Sequence, residues 1–177
     1  PRLIPIRLGL QLVFRSKCER KSCASVNLGW YNGKMKNKGN NYAYIDGANL
    51  YNGARQLGWT LDYGKLRVWL REKYSVSKAY LFLGMIPKYK NLYVRLQEAG
   101  FTLIFKEVTY DGEGKAKGNC DADLVVKAMK DAYESNADRI VLVTSDGDYV
   151  SLVSFLIEKK KMYTILSPYE TNDAQYY

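Results

Sequence analysis

From residue 42 onward, short apolar runs alternate with stretches whose apolar positions recur at helical spacing. YAYI at 42–45 predicts a first strand that ends at Asp46. Leu66, Trp69, Leu70 and Tyr74 recur as on one helix face, predicting a helix over 62–74 with Asp62 as its N-cap. KAYLFLG at 78–84 reads as a second strand, and the stretch 89–100 as a helix, with Pro87 before it and Gly100 stopping it. FTLIFKEV at 101–108 is a third strand. The Gly- and Lys-rich connection 109–119 follows, read as a small hairpin turning at Asp111-Gly112. In the helix expected over 120–135, Leu124, Val125, Ala128, Met129 and Ala132 form one face, with Lys127, Lys130, Asp131 and Glu134 outside it. A fourth strand (139–145), a helix (149–161) and a fifth strand (162–167) complete the pattern.

Strands apolar on both sides, alternating with helices, belong to a parallel sheet covered on both faces, so the fold class is α/β. In such a sheet the crossovers place every strand-to-helix junction on one edge. Ligands bind there, where the strand order reverses. Three junctions carry acids: Asp46 in YIDGANLYNG, Asp121 and Asp123 in NCDADL, and Asp146 and Asp148 in TSDGDY. Carboxylates crowded on one edge raise one another's pKa unless a cation balances them. Mg²⁺ or Mn²⁺, which take hard oxygen ligands and keep several waters, is the simplest partner.

Each acid also has a plainer reading. Asp121 or Asp123 can be a helix cap favoured by the macrodipole. Residues two apart on a helix do not face each other, so both reach one ion only if Asp121 sits at the cap, which ranks Asp121 above Asp123. SDGD can be a simple turn. Asn49 either caps the next helix or orients Asp46 and a metal-bound water. Lys115 and Lys117 are candidates for phosphate contact, with a solvated loop as the alternative. Tyr51, Trp59 and Tyr149 are candidates for stacking on bases, weighed against a core or surface role in a chain with 16 tyrosines. Neither G-x-G-x-x-G nor a P-loop motif occurs, which weakens dinucleotide and P-loop readings.

Composition narrows the chemistry. The chain of 177 residues contains no histidine, which removes Ser-His-Asp and Cys-His catalysis and His-ligated zinc. Cys18, Cys23 and Cys120 show no CxxC spacing, so neither a zinc site nor a disulfide framework is indicated, and a reducing, cytoplasmic compartment is expected. The net charge is +9, but residues 1–40 hold nine Lys/Arg against the single acid Glu19, while residues 41–177 hold eighteen against seventeen. The imbalance sits in the leader and says little about the folded part. PRLIPIRLGLQLVF is broken by Arg7 and Gln11 and is not read as a signal peptide. No apolar run is long enough to span a membrane. The leader (1–40) is expected to lie outside the domain (41–177). Met35 opens a segment that reads as a natural start, so residues 1–34 are expected to contribute little to the fold.

Together, AYIDGANLYNG, KGNCDADLVVKAM and IVLVTSDGDYVSLV resemble the three signature segments of NYN domains, the LabA-like branch of the PIN-like nucleases. Their order and spacing match over residues 41–167, and the three together are specific where any one would be weak. The resemblance implies a PIN-like three-layer α/β sandwich, with a mostly parallel sheet of five strands in the order 3-2-1-4-5 and helices on both faces. Asp46 and Asp146 would then face each other across the switch point, with Asp121 arriving from the neighbouring helix. The resemblance also implies one or two Mg²⁺ or Mn²⁺ ions held by Asp46, Asp121, Asp146 and Asp148, with Asn49 and Thr144 in support. Asp123 is a further ligand candidate.

The expected activity is metal-dependent hydrolysis of phosphodiester bonds, by analogy in single-stranded RNA. Its rival is an RNA-binding or regulatory module that keeps the metal site with little catalysis. A phosphatase with an Asp nucleophile fits poorly, because DGAN lacks the second acid of a D-x-D motif. A homodimer is a further expectation. Two features depart from the family pattern: the ending SPYETNDAQYY is shorter than the tail many relatives carry, and the leader has no counterpart.

Overall fold

Five strands form one parallel sheet in the computed structural model, which describes residues 14–16, 39–107, 109–110, 116–117 and 120–168. They are β1 (Asn41–Asp46), β2 (Val76–Met85), β3 (Thr102–Glu107), β4 (Ile140–Val143) and β5 (Met162–Leu166). All four pairings between them are parallel, and the spatial order is β3-β2-β1-β4-β5. With two short antiparallel ribbons set aside, this is the order the resemblance implies.

The period-two pleat of β1 sends its side chains to two cores. Ala43 and Ile45 join one core, with Leu50 and Ala54 of α1 (Gly47–Gln56), Leu66 and Leu70 of α2 (Tyr63–Tyr74), and Tyr93 and Leu96 of α3 (Lys90–Glu98). Tyr42 and Tyr44 join the other, with Leu124 and Ala128 of α4 (Asp121–Tyr133) and Leu152 and Leu156 of α5 (Val150–Glu158). The chain winds outward from β1 to β3 under α1–α3. It then crosses to β4 on the other side of β1 under α4, and reaches β5 through α5. This reversal creates the switch point between β1 and β4.

Local signals account for the element ends. The Asp62 side chain accepts from Lys65 N at 3.0 Å and caps α2 as expected. Gly100 adopts φ +93° behind α3, a conformation that L side chains rarely take. Pro87 opens a short 3₁₀ turn, Pro87–Tyr89, ahead of that helix.

Several expectations need correcting. The helix after β1 starts at Gly47, and Asp46, not Asn49, is its N-cap. Asp131 lies within the buried face of α4 at 1% exposure, whereas Met129 is 37% exposed. Asp131 falls on the same stripe as Leu124 and Ala128, and its charge is tolerated there because it is paired. Tyr44 OH donates to it at 2.5 Å, Lys127 Nζ at 2.7 Å and Asn136 Nδ2 at 3.2 Å. In the hairpin, Thr109–Tyr110 pairs with Ala116–Lys117, while the expected turn at Asp111-Gly112 lies outside the described residues. Phe14–Ser16 of the leader pairs antiparallel with Trp59–Leu61, a contact the sequence did not suggest.

Candidate metal centre

The site is built where β1 and β4 end level with each other. Ile45 is in register with Val143, so Asp46 and Thr144 each stand one residue beyond a matched pair. After β1 the chain turns at once into α1. Asp46 Oδ1 accepts from Asn49 N at 2.9 Å, which holds the carboxylate over the first turn of the helix. Gly47 permits this turn, because a Cβ there would run into the Leu83 side chain and come within 2.6 Å of Phe82 O.

After β4 the turn is held from several sides. Thr144 is fully buried, and its hydroxyl accepts from Asp146 N at 3.1 Å. Asp146 Oδ1 accepts from Asp148 N at 3.0 Å, capping the 3₁₀ turn Gly147–Tyr149. Asn49 Oδ1 accepts from Ser145 N at 3.1 Å and from Ser145 Oγ at 2.9 Å. Asn49 therefore binds both junctions, Asp46 through its backbone and Ser145 through its side chain. Its side chain does not cap the helix, a role that Asp46 fills.

The third acid comes from α4. Asp121 is the first residue of the helix, behind Cys120 at the cap position, and the positive end of the helix dipole favours its carboxylate. Its Oδ1 accepts from Tyr149 OH at 2.5 Å. Asp121, Asp146 and Asp148 each place a carboxylate oxygen within 4.8 Å of the others. Asp46 stands beside this trio but is not one of its members. Burial raises its pKa above the usual carboxylate value. The Asn49 amide opposes that shift, and the nearby charges of Asp121 and Asp146 add to it. Asp123 points elsewhere: its carboxylate pairs with Lys106 Nζ at 3.3 Å, so of the two acids in the first turn of α4 only Asp121 joins the group.

The donor set suits a hard divalent ion. Metal–oxygen bonds of about 2.0–2.1 Å place opposite ligands of octahedral Mg²⁺ about 4 Å apart. Oxygens spread over as much as 4.8 Å match an ion reached directly by some carboxylates and through water by others. Bringing these acids together without a cation is electrostatically costly, and a bound cation offsets that cost.

The remaining candidates separate by exposure. Tyr51 is 56% exposed on α1 and available for stacking. Tyr149 is 1% exposed, so it is core and cannot stack on a base, while Trp59 is partly buried against the α1–α3 core. Lys115 lies outside the described residues, and Lys117 is placed only by its backbone in the short ribbon. Sequence reasoning missed Ser145 and the Tyr149 hydroxyl. The signal for Tyr149 was a polar-tipped aromatic at the start of an apolar helix, a place where a buried phenol needs an acceptor.

A doubly wound parallel sheet with carboxylates gathered at the switch between β1 and β4 defines an α/β domain with a candidate metal centre. The profile of the NYN domain, a nuclease family, matches residues 42–176, and the chain belongs to that family. Among solved structures, a protein of unknown function from Vibrio parahaemolyticus shares the fold. It aligns with a TM-score of 0.58 and 22% identity, over 74% of this chain and 83% of the other. No curated protein matches the chain. No helix among the described residues is long and apolar enough to cross a membrane.

Proposed function

We propose that the chain is a divalent-metal-dependent endoribonuclease acting on single-stranded RNA, with one or two Mg²⁺ or Mn²⁺ ions held by Asp46, Asp121, Asp146 and Asp148. The observation that carries this reading is the approach of Asp121, Asp146 and Asp148 to within 4.8 Å from two separate elements of a nuclease-family fold. When bound, the metal would lower the pKa of a water and neutralise charge on the departing oxygen. The residues of the chain do the rest. Asp46 and Asp146 follow the ends of adjacent strands and would be primary ligands, while Asp121 and Asp148 would complete the set directly or through water. Asn49 and Thr144 hold the two junctions in register, so that the carboxylates do not have to reorganise during the reaction. Tyr51 and the lysines of the 109–119 connection are the groups proposed to meet the RNA, and Asp123 is proposed to act through Lys106 rather than on the metal.

The test is cleavage of a labelled single-stranded RNA with Mn²⁺, with Mg²⁺ and with chelator, comparing wild type with Asp146→Asn. Metal-dependent cleavage lost in the variant supports the proposal. RNA binding by folded wild type without cleavage would replace it with the binding-module reading.

A further inference from the structure

We propose that Tyr149 is a positioning residue of the metal centre, its hydroxyl holding the Asp121 carboxylate in the orientation that brings it to Asp146 and Asp148. The proposal rests on the metal-centre reading above. Tyr149 ends the 3₁₀ turn that carries Asp148, and its ring is 1% exposed in the core beneath α4 and α5. A phenylalanine would fill nearly the same volume, so what the hydroxyl adds is its bond to Asp121 Oδ1 at 2.5 Å. That distance lies in the range of charge-assisted O–H···O⁻ bonds, the strong class.

The chain contains a second phenol–carboxylate bond of the same length, Tyr44 to Asp131. There the carboxylate is 1% exposed and also takes Lys127 and Asn136, which makes it an internal ion pair. Asp121 differs in being half-buried and in lying within 4.8 Å of two other carboxylates. Its bond to Tyr149 joins the start of α4 to the turn after β4, the two elements that supply the three acids. Losing it removes a short, charge-assisted restraint on the Asp121 side-chain torsions, which set where the carboxylate points. Hydrogen bonds to ligating carboxylates are expected to matter on this scale, since losing one typically costs about 10- to 100-fold in metal affinity.

The test is Mn²⁺ binding by calorimetry to wild type, Tyr149→Phe, Asp121→Asn and Asp146→Asn, with metal-free melting recorded for each. The expected result is a dissociation constant raised about 10-fold or more in Tyr149→Phe, with a metal-free melting temperature close to wild type. Wild-type affinity in Tyr149→Phe, while the two Asp variants lose binding, overturns the positioning role and leaves the metal centre standing. So does lowered melting with unchanged affinity. Undiminished binding in both Asp variants overturns the metal centre, and this proposal with it. If Tyr149→Phe does not fold, wild type carrying ¹³Cζ-tyrosine is titrated with Mg²⁺. A Tyr149 resonance that shifts along the binding isotherm supports the proposal, and one unmoved at saturation overturns it.

Discussion

Asn49 and Ser145 are joined by two hydrogen bonds across 96 positions of sequence, the Asn49 amide oxygen accepting from both the backbone N–H and the hydroxyl of Ser145. Because Asn49 N also donates to Asp46, this one residue sets the spacing between the acids that end β1 and those that follow β4.

Replacing Asn49 with Ala removes the acceptor while leaving Ser145 N–H partly buried. The expected loss is about 1–3 kcal/mol in stability, the cost of an unmet buried donor. Metal-dependent cleavage should fall further than stability alone explains, because the two junctions can then drift apart. Urea unfolding and cleavage at saturating metal check the two parts separately. Unchanged stability would show that water replaces the link without cost.

Asp131 supplies a pH dependence of definite sign. Burial alone would raise its pKa, but hydrogen bonds from Lys127, Tyr44 and Asn136 and the Lys127 charge outweigh burial and hold it below the usual value. A carboxyl depressed in the folded state stabilises above its unfolded pKa of about 3.9, and that contribution disappears as pH falls through the folded value. Asp131→Asn should therefore be less stable than wild type at pH 7, by about 1–3 kcal/mol. The gap should narrow as pH drops below about 4. Unfolding curves at pH 7 and pH 3 decide it, and a constant gap would place the depression elsewhere.

Asp146→Asn should divide stability from activity. Removing one charge from the cluster relieves repulsion, so in chelator the variant should melt at or above the wild-type temperature. Added Mn²⁺ should stabilise wild type, by about 2.7 kcal/mol at 100 times its dissociation constant, and the variant much less. Scanning calorimetry with and without metal reads both effects. A variant that is less stable in chelator would mean that the bond from Asp148 N to the charged Asp146 carboxylate outweighs the repulsion.

At Gly47 even one methyl group meets Leu83 and Phe82 O. Gly47→Ala should cost about 1–3 kcal/mol, as overpacking does. It should also weaken Mn²⁺ binding, because the turn that carries Asp46 must move. Thermal melting and Mn²⁺ titration of the variant check this.

The strand–helix alternation was legible because each β-strand is a short apolar run and each helix shows a stripe. Asp62 and Gly100 mark their helix ends by residue type alone. Element ends were less clear. The start of α1 was left open at Asn49, since Asp46 looked like the end of a strand and is at the same time the cap of a helix. The pairing of Phe14–Ser16 with Trp59–Leu61 left no sign in either segment, since three residues are too few to show a period.

What the sequence determined by itself was the class of fold, the edge on which the acids collect and the absence of histidine chemistry, because residue type and local spacing govern all three. Only the tertiary structure decided which acids meet. The rotation of α4 about its axis sends Asp121 toward Tyr149 and the site, Asp123 toward Lys106, and Asp131 into the core against Tyr44. The register of β1 on β4 brings Asn49 to Ser145. These are distances through space between residues far apart in the chain, set by how the layers pack, and no local pattern of residues encodes them.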